Sequence, residues 1–390
     1  MQKSKVKVLY ITPPTRSFAG IERVTDSVAS ALATRYKQDI DVSVLYTSEF
    51  EQIVGKPRPY NVILSLASGR IDLMSRVRRA VAEGRFDLVV VPQVEASALF
   101  WLCCIGIRRQ FIMHLHGNPR LERRSWKASV LFELMRMIVL PRLRRVFGTS
   151  PRQLEAFMAD YPSRVEHVWV PNPVRSFDEP DRRALPANRP IRFITVGRFA
   201  YQKGYDILLG AFATFCEKRV GAQLSLVGFG DDEPMIRALI DEAGLGAQVT
   251  IEHYPDSPAI PLSRSDVYLS AARWEGWSLA ICEALRFGLP VIAFDCEFGP
   301  SDIIIDDRIG RLVAIDDLAG FVEAMVHYHD HIAAERRHAE YRAAYIDGFS
   351  LDTVVHAHAR ALLAAASDDA PRKIAERQGD PRGSSRWITR

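Results

Sequence analysis

Two glutamates eight positions apart, Glu275 and Glu283, flank the start of a predicted helix. The apolar residues 267–272 before them predict a buried parallel strand. Ser278 is a good N-cap residue and Gly288 a good helix end, so Glu275 should lie in a strand-to-helix loop and Glu283 about one turn into the helix. Carboxylates accept hydrogen bonds from hydroxyl groups, and the free N–H groups of a helix N-terminus bind phosphate. The pattern therefore fits a sugar attached to a nucleotide.

Two cationic residues occupy a similar place earlier in the chain. Arg198 and Lys203 follow a predicted strand, 192–197, and Gly204 then opens a helix. Positive charges at such a strand end can stabilise negative charge on a bound ligand. The alternative interpretation is two solvated charges in a loop.

Two histidines alternate along the predicted strand 111–116, so His114 and His116 should point to the same face of the sheet. His116 is nearer the carboxyl edge, where ligands bind in open parallel sheets. A histidine on a strand is also often a satisfied core residue, and His114 fits that structural role.

Strand and helix patterns alternate along most of the chain, which predicts parallel sheets with helices on both faces. A segment rich in Pro, Asp and Arg, 175–190, lacks apolar periodicity and is the expected linker between two domains. The residues after 367 have almost no apolar spacing, which predicts a disordered tail. The expected domains are therefore 1–175 and 176–344.

Four ordered segments resemble the GT-B glycosyltransferases of retaining family 4, whose hallmark is two glutamates separated by seven residues. The resemblance covers about residues 6–365 and is densest from 191 to 314. The segments are 196–209, 226–231, 274–285 and 299–313. The resemblance implies an α/β GT-B fold, in which two Rossmann-like, doubly wound parallel-sheet domains face each other across a cleft. It also implies that a helix at about 345–366 packs back onto the first domain.

The resemblance further implies a metal-independent hexosyltransferase that needs no cofactor and retains the configuration of the sugar. It assigns the nucleotide ribose to Glu283, the transferred sugar to Glu275, and the donor diphosphate to Arg198 and Lys203. A histidine approaches the reacting sugar in this family, which places His116 with the catalytic residues. The expected backbone contacts to the donor come from glycines and a helix start: Gly20, Gly230, Gly276, Trp277, Ser278 and Leu279.

Several positions depart from the family pattern. Ala19 stands where a first glycine is frequent, Trp277 replaces the usual Phe, and Asp302 replaces the usual Glu. The loop before Gly20 is not GxGxxG, which argues against an ordinary dinucleotide-binding fold. The segment 294–300 is similar to members that use UDP-sugars, so UDP is favoured and GDP-mannose remains an alternative.

Composition limits the class of protein. With 390 residues and 48% hydrophobic content, the chain can form two domains with full cores. The five cysteines have no spacing typical of a zinc site or a disulfide framework, and reduced, cytosolic thiols are expected. No signal peptide is recognisable at the N-terminus. The adjacent Asp231 and Asp232 are expected to be solvated loop acids rather than a metal pair.

Charge is distributed unevenly. Residues 1–180 carry 27 Lys and Arg against 17 Asp and Glu, or +10, and the remainder carries 24 against 30, or −6. The basic segment 120–145 alternates arginines with apolar residues, which is typical of a helix in a membrane interface or of an ordinary domain helix. Both interpretations stay open, so the expected location is cytoplasmic, with peripheral binding to the inner face of the cytoplasmic membrane as an alternative.

The expected partners are a nucleotide-sugar donor and a glycan or lipid-linked glycan acceptor in bacterial surface polysaccharide or lipopolysaccharide synthesis. An anionic membrane surface could add a contact through 120–145, and nucleic acid is not expected. Two other functions compete with glycosyl transfer. One is a nucleotide-sugar 2-epimerase with the same architecture, and the other is a catalytically silent nucleotide-binding module.

Overall fold

The structure is a computed structural model, and it describes residues 4–15, 18, 20–120, 126–177 and 189–367. Two series of strands alternate with helices along these residues. The strands are β1 Val6–Thr12, β2 Ile40–Tyr46, β3 Asn61–Leu64, β4 Leu88–Pro92, β5 Gln110–Leu115, β6 Arg145–Gly148, β7 His167–Trp169, β8 Ile191–Val196, β9 Ala222–Val227, β10 Val249–Glu252, β11 Val267–Ser270, β12 Val291–Phe294 and β13 Gly310–Val313.

The helices follow the strands in both series. They are α1 Gly20–Arg35, α2 Arg70–Glu83, α3 Val94–Cys103, α4 Trp126–Leu134, α5 Pro151–Asp160, α6 Tyr205–Lys218, α7 Glu233–Glu242, α8 Ala259–Ser263, α9 Leu279–Arg286, α10 Pro300–Ile303, α11 Leu318–Glu335, α12 Ala339–Asp347 and α13 Leu351–Ala366.

Two parallel sheets organise the molecule, as the alternating pattern predicted. The first has seven strands in the order β3-β2-β1-β4-β5-β6-β7, and the second has six in the order β10-β9-β8-β11-β12-β13. The strand order reverses beside β1 in the first sheet and beside β8 in the second. Ligands bind at the carboxyl ends of strands next to such a reversal. The loops after β1, β8 and β11 are therefore the natural places for a site.

Each sheet is covered on both faces, which explains why its strands are nearly continuous apolar runs. In β1, Val8 and Tyr10 belong to one core, whereas Leu9 and Ile11 belong to the core on the opposite face. The second sheet likewise separates two cores, one beneath α6 and α11 and the other beneath α9. The prediction of two doubly wound parallel-sheet domains is confirmed.

The last helix returns to the first sheet. Val355 and Leu362 of α13 lie in the same core as Val8 and Val28. This helix begins at Leu351 rather than at about 345, because the chain turns between α12 and α13. Helix α12 instead packs against α9 of the second series. The domain bounds expected from the sequence stay a prediction.

Two further elements differ from the sequence-based expectations, and two expected segments are not tested. Strand β3 was not predicted, because it is a short edge strand whose residues are only partly buried. The helix expected over 125–140 is α4 followed by a π-helical turn, Met135–Val139. Most of the linker, 178–188, and the tail, 368–390, lie outside the described residues.

Among the described helices, none is both long and apolar enough to cross a membrane.

Candidate active site

The loop after β11 packs directly against the end of β5, so the two series of elements meet at the expected edge. A Cβ added at Gly276 would lie 1.9 Å from the carbonyl oxygen of His116. No other residue can be accommodated at that distance without a shift of one backbone. Gly276 therefore allows the two loops to touch.

Glu275 lies in this loop, as predicted, and is buried. Its Oε1 accepts a hydrogen bond from Nζ of Lys203 at 2.5 Å, and the hydroxyl of Ser278 donates to the same oxygen at 3.4 Å. The side chains of Lys203 and Glu275 are 22% and 7% exposed. The structure thus brings together a predicted diphosphate ligand and a predicted sugar ligand as one ion pair.

Two glycines position Lys203. It ends a short 3-10 turn, Tyr201–Lys203, and Gly204 follows with a left-handed backbone, φ +65°. A Cβ on Gly204 would lie 2.1 Å from the carbonyl oxygen of Ala271, and one on Gly197 would lie 3.3 Å from Cε of Lys203. A side chain at position 197 would therefore press on the lysine, and one at position 204 would push the turn that carries the lysine away from Ala271.

Arg198 behaves differently from Lys203. Its side chain is exposed, and within the described ranges it forms no hydrogen bond or ion pair with another residue. An unpaired guanidinium after β8 can contact an anion without first breaking an internal contact. The geometry is compatible with its predicted role in diphosphate binding, which stays a prediction.

Glu283 lies in the second turn of α9 and pairs with an arginine that the sequence pattern did not single out. Nε of Arg175 is 2.8 Å from its Oε1, and the Glu283 side chain is 13% exposed. Burial raises the pKa of Glu283 above its usual value, whereas Arg175 and Arg23 act in the opposite direction. Arg175 stands at the start of the expected linker, where a charged residue gives no local signal of a buried partner.

Helix α9 begins after Ser278, as predicted, but the serine hydroxyl does not cap it. The hydroxyl is turned toward Glu275 instead. The first N–H groups of a helix have no intrahelical acceptor, so those of α9 remain suited to a ligand oxygen. Trp277 is buried, with its ring centroid 5.0 Å from that of Phe349, and Leu279 packs against two cores. Only backbone groups of Trp277 and Leu279 can therefore serve the predicted donor site.

The other two predicted glycines have different surroundings. Gly230 follows β9, and a Cβ there would lie 2.2 Å from the carbonyl oxygen of Phe199, so this loop packs closely on the loop that carries Arg198. Gly20 begins α1, and a Cβ there would meet no atom within 4 Å. The protein's own packing therefore requires a glycine at 230 but not at 20. Ala19 lies outside the described residues.

His116 lies one residue beyond the end of β5. Its ring centroid is 4.1 Å from that of His114, as expected for side chains on one face of the sheet. The pKa of His116 is lowered to about 3, mainly by burial and in part by His358, while a hydrogen bond with Asn172 acts in the opposite direction. The imidazole is therefore neutral near pH 7 and can exchange hydrogen bonds but brings no charge.

The buried histidine group also contains His358 of α13, with its ring centroid 5.7 Å from that of His114. Local spacing could not identify it, since it lies more than 200 residues away in the chain. Only the return of α13 to the first sheet brings it there.

Further polar contacts join the two halves next to the site. Asn118 donates to Oε2 of Glu297 at 2.9 Å, and Arg120 donates to Oε1 at 3.1 Å. Ser150, the N-cap residue of α5, donates to Asp302, one of the positions that departs from the family pattern. Asp302 thus contributes to the contact between the two halves.

Asp231 and Asp232 lie in the loop between β9 and α7. In the described part of the chain, no three His, Cys, Asp or Glu side chains are grouped as a metal site would require.

Comparisons with known proteins agree with this geometry. Residues 177–343 match the family model described as Glycosyl transferases group 1. An uncharacterized glycosyltransferase of Haemophilus influenzae is 23% identical over 326 residues, which cover 79% of this chain and 86% of that protein. A lipopolysaccharide core biosynthesis glycosyltransferase of Rhizobium meliloti, LpsE, is 29% identical over 147 residues, 37% of this chain and 42% of that protein. Other curated relatives are matched over 25% to 34% of their own length.

Among solved structures, Anabaena HepE in complex with UDP has a TM-score of 0.74 with 18% identity. The match covers 92% of this chain and 99% of that one. At this identity the likeness concerns the fold, and it extends over both sheets. This chain therefore has a GT-B fold, and its residues 177–343 are similar to the group 1 glycosyl transferases.

Proposed function

We propose that this protein is a retaining glycosyltransferase that moves a sugar from a nucleotide-sugar to a hydroxyl group of a bacterial surface glycan or its lipid-linked precursor. The observation that carries the proposal is the Lys203–Glu275 ion pair at the N-terminus of α9, in a loop that Gly276 presses against the end of β5. Cation, carboxylate and helix start lie together at strand ends where both sheets contribute to the cleft.

These groups suit a donor that carries a diphosphate and a sugar. Lys203 and the N-terminus of α9 offer positive charge to the diphosphate, and Arg198 is free to approach it. Glu275 can accept hydrogen bonds from sugar hydroxyls once Lys203 turns to the diphosphate. In this proposal Glu283 accepts hydrogen bonds from the ribose hydroxyls.

The reaction breaks the bond between the sugar carbon and the diphosphate oxygen, and the electron pair leaves with the diphosphate. The acceptor oxygen forms the new bond on the same face of the sugar, and its proton passes to a departing phosphate oxygen. Such a route retains the configuration without a protein nucleophile. The fixed cations lower the barrier because they stabilise the charge as it develops.

The proposed acceptor class rests on the relatives, of which one is a lipopolysaccharide core biosynthesis glycosyltransferase. UDP is the favoured nucleotide, and HepE of Anabaena, with a similar fold, was solved with UDP. GDP-mannose remains the second donor to test.

The test has two steps. First, a thermal-shift screen compares UDP, GDP and ADP, because a nucleotide that binds only the folded state raises the melting temperature. Second, a panel of UDP- and GDP-sugars is incubated with glycan acceptors, with and without excess EDTA. Transfer that persists in EDTA, with retained configuration in the product, supports the proposal. Epimerisation of the free donor would favour the 2-epimerase, and nucleotide binding without turnover would favour the silent module.

A further inference from the structure

We infer that Arg175 is a positioning residue for the donor nucleotide: it holds the Glu283 carboxylate in one orientation and in its charged form. The inference rests on the proposed function, in which Glu283 receives the ribose hydroxyls. Arg175 lies in the segment that connects the first sheet to the second. Neither the glutamate spacing nor any other sequence motif indicated this residue.

The Arg175 side chain is fixed by several contacts. Its Nε lies 2.8 Å from Oε1 of Glu283, and NH1 donates to the carbonyl oxygen of Asp256 at 2.9 Å. Its guanidinium carbon lies 4.8 Å from the ring centroid of Phe177. The preceding residue is also held, because the Val174 N–H donates to the carbonyl oxygen of Phe349 at 2.8 Å. A guanidinium held this way orients a carboxylate more strictly than a solvated one.

Glu283 needs such a partner because it is nearly buried. A buried carboxylate loses hydration, which favours its neutral form unless a cation faces it. Arg175 is the cation in contact, and Arg23 of α1 adds a weaker attraction from the opposite side of the cleft. Tyr268 of β11 and Cys282 of α9 also face Glu283, and both stay neutral near pH 7.

Other charges lie farther from this carboxylate. Asp256 acts on Arg23, and the pair Arg286–Asp347 joins α9 to α12 with its nitrogen and oxygen 2.7 Å apart. Arg286 is therefore a matched control: it is an ion-paired arginine on the same helix, directed at a different acid.

The charge state of Glu283 determines how many hydrogen bonds it can accept from ribose hydroxyls. An ionised carboxylate can accept hydrogen bonds from two neighbouring hydroxyl groups, whereas a protonated one has given up part of that capacity. Without Arg175, only the weaker attraction of Arg23 would oppose the effect of burial, and the pKa of Glu283 would rise further. Since the acceptor form is present above that pKa and is lost as the pH falls through it, binding by the variant should weaken toward acid pH.

The test titrates UDP, GDP and ADP into the full-length protein by calorimetry between pH 5.5 and 8.5. Arg175→Ala should weaken binding of the preferred nucleotide at least ~10-fold at pH 6, as expected for loss of the ion-pair partner of a nearly buried carboxylate, and by less at pH 8.5. Arg175→Lys should restore part of the affinity, because it keeps the charge but not the planar fork. Arg286→Ala should stay within about twofold of the wild type, because its partner Asp347 is 60% exposed and does not contact Glu283, and a pair with a solvated acid contributes little.

A double-mutant cycle separates action through Glu283 from a direct contact or a folding defect. In the Glu283→Gln background, Arg175→Ala should cause no further loss and no pH dependence. Equal losses in both backgrounds, or a loss independent of pH, would overturn the inference while the proposed function stands. If Arg175→Ala does not fold, Arg175→Lys takes its place in the cycle with the same criterion. Failure of the wild type to bind any of the three nucleotides would overturn both.

Discussion

At the scale of single residues, Lys203 and Glu275 carry the proposal, because their side chains form one buried contact although they lie 72 positions apart. The pair keeps both charges in place in the free protein. A bound diphosphate would compete with Glu275 for the lysine and release the carboxylate for the sugar. The two side chains should therefore affect different steps.

Lys203→Ala should lower turnover at least ~100-fold at saturating donor, because one preorganised charge contact to a leaving group is worth about 3 kcal/mol. Steady-state rates with the preferred nucleotide-sugar measure the effect. Lys218→Ala, an exposed lysine at the end of the same helix that follows Lys203, is the control and should be active. Turnover of Lys203→Ala near the wild-type rate would remove the lysine from the mechanism.

Exchange of the two glutamates for alanine should separate binding from transfer. Glu283→Ala should mainly weaken the affinity for free nucleotide, whereas Glu275→Ala should reduce transfer more than it reduces nucleotide binding. Calorimetry with the free nucleotide and turnover of the sugar donor measure the two effects. If Glu275→Ala abolished nucleotide binding and Glu283→Ala left it intact, the assigned roles would be reversed.

At the scale of elements, the strand-to-helix loops decide the site. The loop after β11 touches the end of β5 only because position 276 lacks a side chain, and the loop after β9 closes on the loop after β8 through Gly230. These contacts are between backbones, so they tolerate no added volume. The packing of these loops therefore determines where the Lys203–Glu275 ion pair and the N-terminus of α9 can contact a ligand.

Gly276→Ala should force the two loops apart and destabilise the fold by about 1–3 kcal/mol, the usual cost of overpacking. Donor turnover should fall as well, since the loop carries Glu275. Melting temperature and turnover measure both effects. Gly210→Ala, within α6 and with open space for a Cβ, is the matched control and should be neutral or slightly stabilising. Equal behaviour of the two variants would contradict the packing argument.

At the scale of the whole molecule, net positive charge distinguishes the first series of elements, and its basic segment also exposes apolar side chains. Along the basic segment 120–145, Trp126, Val130 and Met137 are 74%, 50% and 68% exposed, although other apolar residues of the segment are buried in the core. Several of its arginines are engaged within the protein: Arg120 with Asp160 and Glu297, Arg136 with Glu133, Arg144 with the end of α13 and Arg145 with Glu166. Fewer basic groups are free than the sequence suggested.

We expect this face to bind anionic membranes, with part of the attraction from the net +10 charge of residues 1–180 and part from the exposed apolar side chains. Each basic residue near an anionic leaflet contributes about 1 kcal/mol, and salt screens this part. Co-sedimentation with neutral and anionic vesicles across a salt series measures it. Trp126→Ser should weaken binding, whereas Val220→Ser, at an apolar residue that is 88% exposed in the second series, should not. Equal binding to both kinds of vesicle, or none at low salt, would show that these arginines only solvate the helix.

The sequence alone determined the parallel sheets, the strand-to-helix loops, the placement of Glu275, Arg198 and Lys203 after strand ends, and the placement of Glu283 about a turn into a helix. These features follow from local signals, namely continuous apolar runs, helix ends and glycines, which act over a few residues. The tertiary structure decided which side chains meet: Arg175 with Glu283, Lys203 with Glu275, and His358 with His114. It also turned the Ser278 hydroxyl away from its predicted capping role. Only the order of the strands and the return of α13 bring these residues together. Their spacing along the chain does not indicate the distances between them, because they belong to different elements.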